Sequence, residues 1–282
     1  QTMSRKPSRK ILSIPLSPPA AGRALAARES RMTQAWDALS SGALDALGLE
    51  AAGVDDILDP STKKALRKPF AEEARISDPR FATPIRSWPT LLLPGSFNPL
   101  HEGHRGMLDL ASSLMGEEQE DLRNIGIMHH GASGFEPTET PSPAFELSIE
   151  NVDKPPLDAL EAAARLEHFA HRDALWLTRS ATFSDKARLF PGATFAVGAD
   201  TIVRIGDLRY YESAWARNLA MHALRRCRFL VFCRKTGDRL HTLSSLDLPP
   251  PLRILCQEIP AEAFRIDLSS TSLRLAKRSN PN

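Results

Sequence analysis

The chain has 282 residues, 42% of them hydrophobic and 25% charged, with a formal net charge of +2. That is ample for a large core in one or two domains, and the near-balanced charge argues against a general nucleic-acid binder. No apolar run reaches the roughly 18 residues that span a bilayer, so no membrane partner is expected.

The cysteines Cys227, Cys233 and Cys256 show no CxxC spacing and no even framework. They read as reduced, structural thiols in a cytosol-like, cytoplasmic compartment. The first acidic residue is Glu29, preceded by Arg5, Lys6, Arg9, Lys10, Arg23 and Arg28 among several serines. This composition suits a disordered basic tail and, as the alternative, an organellar transit peptide. The first residue is Gln, as in a truncated chain.

In chain order, residues 1–22 contain Pro-Leu-Ser-Pro-Pro and are expected to be irregular. Residues 23–48, rich in Ala and Leu, predict one or two helices ending at Gly48. Residues 49–89 are polar and punctuated by prolines, and Lys63, Lys64, Arg67 and Lys68 read as a solvated helix face. The expected division is an N-terminal accessory segment, 1–87, and a core domain, 88–282.

The core opens on the most informative stretch, Leu91-Leu92-Leu93-Pro94-Gly95-Ser96-Phe97-Asn98-Pro99-Leu100-His101-Glu102-Gly103-His104. The leucine run lacks alternation, as in a strand covered on both faces. Gly95, Asn98 and Pro99 are turn residues. Met107, Leu110, Ala111 and Leu114 then recur at helical spacing. A strand that delivers its turn to a helix N-terminus places free N–H groups and the positive dipole end beside the loop, a ready phosphate site. His101 and His104, three apart, project from one side of the first turn.

Asn124 to Met128 predicts a second strand, followed by His129 and His130. The paired histidines invite a metal reading, but no third ligand stands at a recognisable spacing, and a loop at a strand's end is favoured. Gly131 to Pro143 is a loop that could act as a lid. Phe145 to Glu150 alternates like a half-buried strand. Lys154 follows in a loop, more naturally a surface charge than a phosphate ligand. Ala159, Ala162, Ala163, Leu166 and Ala170 mark a helix, and Ala174 to Thr178 a short strand.

Arg179 to Ala187 is a polar turn entering a helix, and capping by Ser180 or Thr182 is one reading of it. Thr194-Phe195-Ala196-Val197-Gly198-Ala199-Asp200 is a strand running into a helix. Gly198 permits close approach of a ligand, and Asp200 at the carboxyl end of a parallel strand can either accept from sugar hydroxyls or cap the helix. A helix through Ala216 to Leu224 and a strand over Arg228 to Cys233 come next, then a connection from Leu240 to Pro260 with at least one helical segment. Ser269-Ser270-Thr271-Ser272-Leu273-Arg274 would cap a helix or clamp phosphate, with Arg274 forking two oxygens.

Gly-Ser-Phe-Asn-Pro-x-His-x-Gly-His resembles the signature of the HxGH nucleotidyltransferase superfamily, and its Gly-Ser-Phe-Asn-Pro form is most similar to nicotinamide or nicotinate mononucleotide adenylyltransferases. Gly198-Ala199-Asp200 and Ser269-Ser270-Thr271-x-x-Arg274 resemble two further motifs of that family, in the same order. The likeness covers residues 88 to 278. It implies an α/β, Rossmann-like, mainly parallel sheet with helices on both faces, in agreement with the strand–helix alternation.

The resemblance further implies an enzyme that transfers a nucleotidyl group, adenylyl from ATP, to a phosphorylated small-molecule acceptor and releases pyrophosphate. Nicotinamide or nicotinate mononucleotide is the first candidate acceptor, with a place in NAD biosynthesis. The implied catalytic residues are His101, His104 and Arg274, with Gly95, Ser96, Phe97, Asn98, Gly198, Asp200, Ser269, Ser270 and Thr271 around the nucleotide. Thr182 and Phe183 occupy the segment that in this family helps hold the acceptor. Where bacterial members usually carry a stacking Trp, this chain has Tyr210 and Tyr211. Mg²⁺ is expected chiefly on the phosphates, without a metal cage from the chain.

Transfer from CTP or to another phosphorylated acceptor is the alternative activity, and a non-catalytic nucleotide-binding regulator the alternative class. A class I aminoacyl-tRNA synthetase is set aside: the chain is short for one and lacks Lys-Met-Ser-Lys-Ser. A homo-oligomer is left open.

Overall fold

The computed structural model describes residues 11–15, 36–50, 89–124, 142–169, 173–236 and 239–264. The chain has a Rossmann-like α/β fold built on a mainly parallel sheet. Its strands are β1 (Ile11–Pro15), β2 (Ala46–Glu50), β3 (Leu91–Pro94), β4 (Pro143–Ser148), β5 (Leu175–Thr178), β6 (Thr194–Gly198), β7 (Arg228–Phe232), β8 (Arg234–Thr236), β9 (Arg239–His241) and β10 (Cys256–Ile259). The helices are α1 (Glu102–Asn124), α2 (Ala159–Leu166), α3 (Phe183–Leu189), α4 (Ala199–Gly206), α5 (Ala214–Leu224) and α6 (Pro250–Arg253). Two compact units emerge from the contacts: Gln1–Ser87 with Leu147–Ser180, and Trp88–Glu146 with Ala181–Asn282. The expected division into 1–87 and 88–282 shares the first of these boundaries, while 147–180 groups with the N-terminal residues.

In the first unit, β1 pairs parallel with β2, and β2 antiparallel with β5. This corrects two expectations. Residues 11–15 are a strand within a stretch expected to be irregular, and 46–50 are a strand where a helix was expected to end; residues 36–40 are helical. Tertiary pairing overrides helix propensity here: Ala46 and Leu47 are fully buried, and Leu47 lies opposite Leu177. Gly48 is no helix terminator but a mid-strand residue opposite Trp176, which is itself buried.

The second unit holds the strands β4-β3-β6-β7-β10 side by side and all parallel. Leu91, Leu92 and Leu93 are buried, as are the residues from Thr194 to Val197 and from Phe229 to Phe232, so the central strands are covered on both faces. Phe195 and Phe229 stack at 5.6 Å between centroids, and Phe183 meets Phe195 edge-on at 5.5 Å.

Four expectations change along these elements. The β4 segment is not half-buried: Phe145, Glu146 and Leu147 are all buried, and Glu146 is neutralised by an ion pair with Lys186. Asn124 ends α1 instead of opening a strand, and 125–128, with His129 and His130, lie outside the described residues. The connection after Leu240 carries a strand, β10, against β7 as well as the short helix α6. On α1, Leu108 and Ala111 face the core, which rotates the expected stripe by about one residue. Among the described residues no helix is long and apolar enough to cross a membrane.

Candidate functional site

The order of strands locates a switch point in the sheet. From β3 the chain goes to β4 on one side, while β6, β7 and β10 lie on the other. The sheet therefore reverses its winding between β3 and β6, and open parallel sheets bind ligands at the carboxyl end of such a switch point. β3 and β6 run parallel in register, Leu91 opposite Thr194 and Leu92 opposite Phe195, so both leave the sheet at that edge. The 23-residue α1 follows one and α4 the other.

The turn after β3 is tied down at its start and middle. The Gly95 N–H donates to the Glu146 carbonyl at 2.9 Å. Phe97 adopts φ 41, a conformation that bulky side chains rarely take, and it is 1% exposed. Its ring meets Phe145 edge-on at 5.4 Å and His104 edge-on at 5.2 Å. Ser96 and Asn98, on either side, are exposed, so the turn buries its aromatic and offers its polar neighbours outward. The Asn98–Pro99 peptide is cis.

His101 and His104 stack with centroids 3.7 Å apart and planes 26° apart. The His101 N–H donates to Nδ1 of His104 at 3.3 Å. Burial above all, then the neighbouring His101 and Arg105, lowers the His104 pKa to about 3. Near neutral pH its ring is uncharged, and with Nδ1 as the acceptor the proton sits on Nε2, a donor of the kind that suits an anion. Arg105 was missed in the sequence; standing directly after the motif, its charge adds to the positive potential of the helix N-terminus.

Gly198 precedes α4, and Asp200 lies in its first turn, exposed. The Asp200 carboxylate folds back so closely that a Cβ on Gly198 would meet Oδ1 at 2.8 Å. One turn on, the Arg204 guanidinium lies over the Tyr210 ring at 5.4 Å, and its Nε–H donates to the Tyr210 hydroxyl at 3.2 Å. The Tyr211 hydroxyl donates to the Ile205 carbonyl at 2.6 Å.

Thr182 and Phe183 are both engaged in the fold. The Thr182 hydroxyl caps α3, accepting from the Asp185 N–H at 3.2 Å and donating to Asp185 Oδ2 at 2.6 Å. Phe183 packs on Phe195 and Phe229. The structure thus gathers Gly95, Ser96, Phe97, Asn98, His101 and His104 in one turn, with Gly198 and Asp200 at the end of the adjacent strand. Ser269, Ser270, Thr271 and Arg274 lie outside the described residues. No family model matches the chain, and no curated protein matches it.

Proposed function

We propose that the chain is a nucleotidyltransferase that moves a nucleotidyl group, adenylyl from ATP, onto a phosphorylated acceptor and releases pyrophosphate. The observation that carries this reading is the stacked histidine pair at the N-terminus of α1, on the turn that follows β3, the strand paired with β6 at the switch point. A neutral imidazole donating from Nε2, N–H groups at a helix start and a neighbouring arginine together suit a polyanion.

An acceptor phosphate would attack the α-phosphorus in line as the bond to pyrophosphate breaks. The nucleophile is already an anion, so no strong base is needed, and catalysis would rest on positioning and charge neutralisation. His101 and His104 would donate to the triphosphate and to the charge that builds at phosphorus. Asp200 would accept from sugar hydroxyls at the strand end. Ser269, Ser270, Thr271 and Arg274 would hold the leaving pyrophosphate, as the resemblance implies. The donors around the turn are imidazoles and amides, a set that suits phosphate oxygens better than a hard cation. Mg²⁺ would therefore enter on the triphosphate and supply further charge neutralisation there.

Nicotinamide or nicotinate mononucleotide remains the first acceptor to test, on the resemblance of the Gly-Ser-Phe-Asn-Pro turn. The experiment is a pyrophosphate-release screen of ATP and CTP against a panel of phosphorylated small molecules. Turnover is expected with ATP, falling about a thousandfold in His104→Ala. Turnover with CTP or another acceptor alone would move the assignment to that pair. Triphosphate binding with no turnover for any acceptor would favour a nucleotide-binding regulator and overturn the enzymatic reading.

A further inference from the structure

Beneath the turn lies a pair of charges that the proposed chemistry does not use. Lys186 Nζ on α3 sits 2.8 Å from Glu146 Oε1 on β4, with side chains only 6% and 1% exposed. A lysine so enclosed cannot reach a dissolved anion, which excludes the simplest ligand-binding role. Nor is stability a sufficient reason for it. Removing two charges from water costs several kcal/mol for each, and well-packed apolar pairs usually do as well or better. What such a pair offers is direction: it holds two elements in one register, where apolar side chains tolerate sliding.

The register in question is that of the site. Glu146 is the residue whose carbonyl receives the Gly95 N–H at 2.9 Å. The residue before it, Phe145, meets Phe97, and Phe97 meets His104. Two adjacent positions of β4 therefore hold the turn at its glycine and at its aromatic, and the second leads on to the histidine. On the other side, Lys186 belongs to a helix fixed by its Thr182 cap and by Phe183 packed on Phe195 and Phe229. We propose that the Lys186–Glu146 ion pair is a positioning latch, which fixes the end of β4 and through it the Gly95–His104 turn in the geometry that transfer requires. Its catalytic half rests on the nucleotidyl-transfer reading; its structural half does not.

The test replaces both charges with apolar chains of similar length, Glu146→Met with Lys186→Met, in the full-length protein. Three quantities are read: the thermal midpoint, the exchange rate of the Gly95 amide, and the titration of His104 by NMR. The latch predicts a midpoint at or above that of the wild type, Gly95 exchange at least tenfold faster, and a His104 pKa that climbs from about 3 toward 6.5 as the ring becomes wetter. In the pyrophosphate assay, kcat should fall about a hundredfold, the scale of a displacement near 1 Å, with KM changed far less. If the Met pair does not fold, Glu146→Gln, which alters charge and not volume, carries the same test with smaller shifts in the same direction. Unchanged Gly95 exchange and His104 titration in a folded variant would overturn the latch, whatever the activity. A wild type without turnover would instead sink the enzymatic reading and leave the two NMR readouts to decide the latch.

Discussion

A Cβ added to Gly95 would lie 2.7 Å from Cε1 of Phe97, so the glycine is the floor on which the aromatic ring rests. The ring cannot retreat cheaply: it is 1% exposed and stands edge-on to both Phe145 and His104. In this turn, close approach and not a left-handed backbone is what asks for glycine at 95. Gly95→Ala should cost about 1–3 kcal/mol through overpacking. Phe97→Ala should cost about 3–5 kcal/mol through the cavity it leaves. In the double variant the methyl would enter space the ring has vacated, so the two costs should fall short of additivity by at least about 0.5 kcal/mol. Urea unfolding of the four proteins measures the coupling, and strict additivity would mean the ring is free to move.

The His104 pKa sets a pH dependence of known sign. In the unfolded chain the ring binds a proton below about 6.5; in the folded protein it does so only below about 3. Between these values the unfolded state holds more protons, so stability falls on acidification by about 1.4 kcal/mol per pH unit from this group alone. His104→Gln has no such proton to gain. The stability difference between wild type and variant should therefore narrow as pH drops from 6.5 toward 3, as read from urea midpoints at each pH. A difference that stays constant would place His104 in an ordinary solvated environment.

What could be read from the sequence follows from how local the signal is. The Leu91–Leu93 run, the turn residues and the helix after His104 are local patterns, and β3, the turn and α1 stand where they were expected. The same holds for β6, α5 and β7, whose apolar runs are unbroken or regularly spaced. β2 was misread because its identity depends on a partner far along the chain, Leu175–Thr178, and nothing in Ala46–Glu50 announces it. The burial of Glu146 was misread for a related reason. Alternation in Phe-Glu-Leu-Ser suggests one wet face, and the Lys186 ammonium that meets the carboxylate inside comes from forty residues later. The Phe97 ring turns inward beside His104, and its sequence position carries no sign of that. The switch point between β3 and β6 is a property of strand order and has no local signature at all.

Two glycines with left-handed backbones separate strain from crowding. Gly42 has φ 80 and Gly192 has φ 84, but a Cβ on Gly192 meets nothing within 4 Å, whereas one on Gly42 would run into Nη1 of Arg179. Gly192→Ala should lose about 1–2 kcal/mol, the cost of placing an L side chain in that region. Gly42→Ala should lose that and displace the Arg179 guanidinium from Glu150, whose Oε1 accepts from Nε at 2.8 Å. Both partners are about one-third exposed, so the excess should be modest, about 0.2–1 kcal/mol. Thermal denaturation at low and high salt checks the assignment, because only the Gly42 excess should shrink with salt. Equal losses at the two sites would mean Arg179 moves aside without cost.

Gly198 and Asp200 pose the converse case, in which a crowded glycine should matter to ligand and hardly to stability. The atom a Cβ would meet, Asp200 Oδ1 at 2.8 Å, is the far end of an exposed side chain and not backbone. The Gly198 backbone is extended at φ −76, which alanine accepts without strain. Gly198→Ala should thus change unfolding free energy by no more than about 0.5 kcal/mol. The carboxylate, however, would leave the position beside the strand end where it is proposed to receive sugar hydroxyls. Losing one charged hydrogen-bond acceptor costs about 1.5–3 kcal/mol, so nucleotide affinity should fall roughly ten- to a hundredfold. Asp200→Ala should show the same loss, and the double variant should lose no more than either alone. Calorimetric titration with a nucleoside triphosphate, with thermal midpoints measured alongside, reads both quantities. If Gly198→Ala binds like the wild type while Asp200→Ala does not, the carboxylate works from more than one rotamer. If neither variant loses affinity, Asp200 has no part in holding the sugar.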